Sequence, residues 1–312
     1  MYSFYILINR RCYKNLSTSI FWIRDIIRKD KSTFFVIFIR CFLFIIYLYL
    51  LLIDYGIKMA EKPLAIITGA ASGIGRAVAE QLAQTHTLLL IDLAQFDDKI
   101  QAETFQFDVG QATEWQKVTN AVKNRPIDFI MLNAGISFKS SWTDPDGWHK
   151  MLNTNLYGVI NGIAALLPLV ENKNATIVIT GSKQGITNPP GNPAYNASKA
   201  AIKSLAENLS YDLRKTNVNV HLLIPGYTYT GMTRGTSTDK PASAWTPEQV
   251  ASYMFEKITQ KQFYILCPDN DVTNEIDHKR MHWNLRDITE GRPALSRWRE
   301  ETAAEFEQYM KN

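Results

Sequence analysis

The sequence predicts an α/β fold: a single domain on a doubly wound parallel sheet of about seven strands, preceded by an N-terminal hydrophobic extension. Three observations carry this. Short apolar runs of β-forming residues recur between residues 63 and 267, and most are separated by segments with helical periodicity. Strands alternating with helices imply a parallel sheet covered on both faces. A glycine-rich turn joins the first run to the first helical segment. The body also shows no internal repeat, low-complexity linker or second core, so it reads as one domain over 59–267 with a helical tail, 268–312, packed on it.

The extension stands apart in charge and hydropathy. Of the 312 residues, 46% are hydrophobic, enough for a packed core. Residues 1–58 carry nine Lys/Arg and three Asp/Glu, a net of +6; the remaining residues carry 25 and 27, a net of −2. The basic balance therefore belongs to the extension, and the body has no electrostatic footprint for nucleic acid. Phe34–Ile53 holds one charge, Arg40, in 20 residues. As a helix it spans the ~30 Å hydrocarbon core of a bilayer. Its apolar residues contribute roughly −5 to −10 kcal/mol to insertion, against ~+3 for a central Arg. The Lys/Arg before it would keep the N-terminus cytosolic and export the body. Two readings stay open. Either Met59, opening MAEKPLAIITGA, is the natural start of a cytoplasmic enzyme and the extension is absent from the mature protein, or the extension anchors the protein in a membrane through 34–53.

Pro63–Thr68 is the first strand, a short apolar run of the kind buried in parallel sheets. GAASGIGRAVAEQLAQ follows. Gly69, Gly73 and Gly75, with Ser72 and Ile74 between them, sit where a backbone must turn tightly and approach a pyrophosphate, and the helix N-terminus beyond them favours an anion. Leu88–Ile91 is the second strand. It ends at Asp92, where a dinucleotide-binding (Rossmann) fold places a carboxylate for the ribose 2′-hydroxyl. A carboxylate there repels a 2′-phosphate, which favours NAD over NADP. Thr104–Phe107, leading to Asp108 and Val109, is the third strand; the link before it is too short for a full helix. Ile127–Leu132 is the fourth, followed by Asn133, Ala134 and Gly135. Asp144–Val170 reads as one long helical stretch ending near Pro168. Asparagine is unfavourable inside a helix, so Asn153 and Asn155 suggest a kink or a site. Thr176–Thr180 is the fifth strand, running into Ser182. The run AYNASKAAIKSLAENLSYDL is helical and puts Tyr195 and Lys199, four apart, on one face. An ammonium close to a phenol favours the phenolate and lowers its pKa, making tyrosine a usable acid/base. Asn217–Ile224 is the sixth strand, ending at Pro225 and Gly226. Thr246 caps a helix with Pro at its first position, and Phe263–Cys267 is the seventh strand.

Three cysteines, two of them in the extension, give neither a disulfide framework nor a zinc pattern. His278 and His282 have the i, i+4 spacing of a metal pair, but nothing completes a site, and they read as a solvated helix face. No metal is expected.

Across Lys62–Cys267 the chain resembles the classical short-chain dehydrogenase/reductase family. The matching segments are TGAASGIG at 68–75, DV at 108–109, NAG at 133–135, NTNLYG at 153–158, Ser182, YNASK at 195–199 and PGYTYT at 225–230. Leu132 and Gly181 depart from the family pattern without removing a catalytic group. The resemblance implies an NAD(P)-dependent oxidoreductase that interconverts a secondary alcohol and a ketone. Tyr195 would be the general acid/base and Lys199 its pKa-lowering neighbour, also holding the nicotinamide ribose. Ser182 would bind the substrate oxygen, and Asn155 would position a water linking Lys199 to solvent. Asp108 and Val109 would meet adenine, Asn133–Gly135 would line the ribose, and Pro225, Gly226, Thr228 and Thr230 would complete the cofactor wall, Thr230 at the carboxamide. It also implies a homodimer or homotetramer formed through the helices of Tyr195 and Thr246.

The substrate pocket is expected from 136–142, 184–192 and 227–245, with Trp142, Tyr227, Met232 and Trp245 pointing to an apolar substrate. A membrane-anchored sterol or lipid dehydrogenase of the same family and a non-catalytic NAD-binding regulator are the alternatives. CPDND and RPALSRWRE in the tail have no mechanistic role in this reading.

Overall fold

A computed structural model describes residues 42–46, 62–97, 99–235 and 239–312. The chain forms two compact units, 1–61 and 62–312. In the first, residues 42–46 are helical and exposed. The rest of the 34–53 segment, and with it the membrane-anchor reading, lies outside the described residues. Among the described residues, no helix is long and apolar enough to cross a membrane.

In the second unit seven strands form one parallel sheet: β1 (Leu64–Thr68), β2 (Thr87–Asp92), β3 (Glu103–Gln106), β4 (Ile127–Leu132), β5 (Ala175–Thr180), β6 (Val218–Ile224) and β7 (Tyr264–Leu266). Their order is β3-β2-β1-β4-β5-β6-β7, with Ile66 of β1 flanked by Leu89 and Ile130. This is the expected doubly wound Rossmann arrangement. Period-two alternation sends Leu64 and Ile66 to one face, Ala65 and Ile67 to the other, and all four are buried. The first face is covered by α2 (Trp115–Val122), α4 (Gly158–Val170) and α6 (Pro193–Asp212), which bury Val118, Leu166 and Ile202 among others. The second is covered by α1 (Gly73–Leu82) and α7 (Pro247–Thr259), through Val78 and Met254. Strands buried on both faces must be apolar along their whole length, which is why the sequence shows runs here instead of alternation.

The winding reverses between β1 and β4, so the helices that follow them leave a crevice beyond the strands' carboxyl ends, where open α/β sheets bind ligands. Among the described residues no helix intervenes between β2 and β3, as the short link implies, and one short helix, α5 (Gln184–Thr187), follows β5. The stretch expected as one helix from Asp144 is divided instead: α3 (Pro145–Leu152), a π-turn at Asn153–Tyr157, then α4. Pro168 does not end α4, which continues to the buried Val170. A proline inside a helix removes one intrahelical bond and crowds the carbonyl four residues back, and the burial of Val170 opposes that cost. The tail forms α8 (Asn274–Thr289) and α9 (Ala303–Lys311), and its Trp283 is fully buried against Phe306 and Tyr309.

Candidate active site

The crevice floor is backbone held by short polar side chains. Gly69 has φ +65°, and a Cβ there would lie 2.8 Å from Ala134 Cα; only glycine meets both demands. A Cβ on Gly75 would stand 2.8 Å from Asn133 Nδ2. The Thr68 hydroxyl accepts from the Asn133 and Ala134 N–H groups (2.8 and 3.0 Å). Asn133 Nδ2 donates to the Thr68 and Gly69 carbonyls, and its Oδ1 accepts from Thr180 Oγ1 at 3.1 Å. The ends of β1, β4 and β5 are thereby laced together. Asp92 accepts from Ala71 N and Ala94 N, both at 2.9 Å, which ties β2 to the glycine turn. The Asp108–Val109 corner is set by Trp115 Nε1 and Asn161 Nδ2, which donate to the Val109 carbonyl.

On α6, the i, i+4 spacing places Tyr195 and Lys199 together, 9% and 5% exposed. Lys199 Nζ lies 5.8 Å from the phenol ring centroid and donates to the Thr180 carbonyl at 2.9 Å. Ser182 stands beside the Tyr195 phenol, and its oxygen accepts from Gln184 N at 3.2 Å. Burial raises the Tyr195 pKa, and the neighbouring Ser182 side chain only partly opposes this. Burial also lowers Lys199 from 10.5 to about 8. The expected lowering of the phenol by its ammonium neighbour is therefore not what the protein shows. Both groups are shut away from water, so each is pushed toward its neutral form.

Asn155, fully buried in the π-turn, accepts from Ile136 N at 2.8 Å and donates to the Ile136 carbonyl and Ser198 Oγ (3.0 and 3.1 Å). Ser198 in turn donates to the Tyr195 carbonyl at 2.7 Å. Asn155 thus ties the loop after β4 to the Tyr195 helix from behind the cavity wall.

The cavity measures ≈ 770 Å³, a size suited to a cofactor together with a small substrate. Gly69, Ser72, Gly73, Ile74, Asp92, Asp108, Val109 and Asn133–Gly135 line it, together with Ser182, Tyr195, Lys199, Pro225, Gly226, Thr228 and Thr230. Gly75 and Asn155 do not line it, because each is committed to packing behind it. The closely packed glycine turn at a helix N-terminus, leading to a carboxylate, fits a dinucleotide.

Ile136, Phe138, Tyr227 and Met232 give the cavity apolar walls. Trp142 and Trp245 do not contribute. Trp142 is 81% exposed and pairs with Trp148 (5.4 Å between centroids), whereas Trp245 turns to Tyr253 at 5.6 Å. Lys150, Thr154 and Lys183 also line the cavity and carried no local signal in the sequence.

A family model described as short chain dehydrogenase matches residues 63–241. Sulfoacetaldehyde reductase of Chromohalobacter salexigens is 32% identical over 220 residues, covering 64% of this chain and 86% of that protein. Among solved structures, a short chain dehydrogenase/reductase from Burkholderia phymatum in complex with NAD matches with a TM-score of 0.63 at 28% identity, over 75% of this chain and 96% of its own. A short-chain dehydrogenase from Sphingobium yanoikuyae in complex with NADPH shares the fold at TM-score 0.60 and 21% identity, over 73% and 94%.

Proposed function

The chain belongs to the short-chain dehydrogenase family and is an oxidoreductase working with a nicotinamide cofactor, and from that premise we propose that it interconverts a secondary alcohol and a ketone, with NAD preferred. The observation that carries the reading is the meeting of the Ser182 hydroxyl, the Tyr195 phenol and the Lys199 ammonium in one cavity with the glycine turn. When bound, a nicotinamide cofactor supplies the hydride acceptor or donor.

The chain's own residues handle the oxygen and the proton. Ser182 holds the substrate oxygen by a hydrogen bond and fixes it beside Tyr195. Tyr195 takes the hydroxyl proton as the alcohol becomes a carbonyl and returns it in the reverse direction. Its raised pKa keeps the phenol protonated at neutral pH, which suits the reductive direction, where an acid is needed. Lys199, anchored to the Thr180 carbonyl, places a positive charge near the phenol and stabilises the phenolate when it forms. Asn155 keeps the Tyr195 helix in register with the loop after β4. Ile136, Phe138, Tyr227 and Met232 exclude water from the reacting oxygen.

NAD is favoured by Asp92, which lines the cavity at the end of β2, where a carboxylate would repel a 2′-phosphate. The Burkholderia relative in complex with NAD supports this preference. A screen of secondary alcohols and ketones against both cofactors, read by absorbance of the reduced nicotinamide, tests the proposal. At least one substrate should turn over, with higher kcat/KM on NAD. Turnover confined to non-alcohol, non-carbonyl substrates, or a clear NADP preference, would contradict the respective half.

A further inference from the structure

The tail after β7 reaches back to the cavity wall. Lys183 directly follows Ser182, and its ammonium lies 2.5 Å from Asp277 Oδ2 and 3.6 Å from Asp269 Oδ2. Asp277, on α8, is 2% exposed, and Arg280 approaches its other oxygen at 3.9 Å. Asp269 Oδ2 also accepts from Tyr227 N at 3.2 Å. A Cβ on Gly226 would fall 2.9 Å from both Asp269 Oδ2 and Lys183 Nζ. Further along α8, Asn284 Nδ2 donates to the Ile186 carbonyl at 3.2 Å. Two acids and an amide of the tail therefore grip both loops that wall the site, the one carrying Ser182 and the one carrying Pro225–Thr230.

Burying an ammonium and two carboxylates is a poor way to gain stability, since desolvation offsets most of the attraction. It does fix geometry. Ser182 must hold the substrate oxygen to within a fraction of an ångström of its place beside Tyr195, and its own hydroxyl is tethered to the nearby Gln184 N–H. The side chain next door, Lys183, connects that loop to the tail through Asp277 and Asp269.

We infer that Lys183 is a positioning residue: clamped by Asp277 and Asp269, it sets where the Ser182 hydroxyl stands relative to Tyr195 and locks that loop to the Gly226–Tyr227 wall. The inference rests on the reading of Ser182 and Tyr195 as the reacting pair. It gives the CPDND segment and α8 a role in the reaction.

Steady-state kinetics of Lys183→Met, Lys183→Arg and Asp277→Asn test it, with cofactor affinity by fluorescence titration and thermal unfolding measured beside them. kcat should fall about tenfold or more in Lys183→Met and Asp277→Asn, toward the ~10²-fold that an ångström of misplacement costs. The cofactor dissociation constant should change much less than kcat, because Asp269 still holds the Tyr227 N–H. Lys183→Arg should recover most of kcat. If Lys183→Met does not fold, Asp277→Asn and Lys183→Arg decide. Wild-type kcat per folded molecule in Asp277→Asn and Lys183→Met overturns the positioning role. Tyr195→Phe run in parallel separates the two levels: full turnover there removes the reacting pair and this inference with it, whereas lost turnover there beside full kcat in the Lys183 and Asp277 variants sinks the inference alone.

Discussion

A lysine whose ammonium is shut away from water destabilises the fold that holds it, and Lys199 is such a lysine. Its pKa is lowered to about 8 by burial, so between pH 8 and 10.5 the unfolded chain binds a proton that the folded chain does not. Stability must then rise with pH across that window, and the penalty is fully present below pH 8, at ~3 kcal/mol before any loss of the Thr180 hydrogen bond is counted. Lys199→Met should lack that rise, so the stability difference between the two proteins should shift by about this amount between pH 8 and 10.5 in urea titrations; parallel curves would contradict it. The Tyr195–Lys199 pair was legible in the sequence because four-residue spacing on a helix is a local property. The Lys183–Asp277 pair was not. Its members lie far apart in the chain, and only the packing of α8 against the segment after β5 brings them together. The direction of the Tyr195 shift was misread for the same reason, since burial is a tertiary quantity that spacing does not encode.

At the scale of elements, the five central strands fall where apolar runs place them, because a strand buried on both faces has no freedom to be anything but apolar, whereas the edge strand β3 is mostly exposed. Helix ends were legible where a cap is chemical. Thr246 accepts from Gln249 N while the Gln249 side chain accepts from Thr246 N, a full capping box at the start of α7. Thr246→Ala should cost ~1 kcal/mol in denaturant unfolding, with little change in kcat. The π-turn was visible only as two asparagines out of place in a helix. Its cause is the pair of bonds from Asn155 to Ile136, a loop contact that periodicity cannot report. Asn155→Ala removes three hydrogen bonds from a fully buried site and should cost roughly 2–4 kcal/mol. A loss under 1 kcal/mol by urea unfolding would mean that the π-turn holds without its side chain.

At the scale of the 62–312 unit, the sheet order places the glycine turn, the Ser182 loop and the Gly226 loop at one crevice, and the tail braces two of these three. Residues 62–312 form a compact unit with both faces of the sheet covered. A chain starting at Met59 is therefore expected to unfold cooperatively and to bind reduced nicotinamide cofactor as tightly as the full chain, by thermal melting and fluorescence titration; a non-cooperative melt would contradict it. The parallel, doubly wound sheet followed from the alternation of elements, while the division of labour within the tail had no periodic signal to announce it. All of this converges on one proton, carried by one phenol. Hydride transfer by Tyr195→Phe, measured in single turnovers with cofactor binding checked on the same sample, tests that most directly. The account predicts a loss of at least ~10²-fold with binding retained; wild-type turnover by the phenylalanine variant would contradict it.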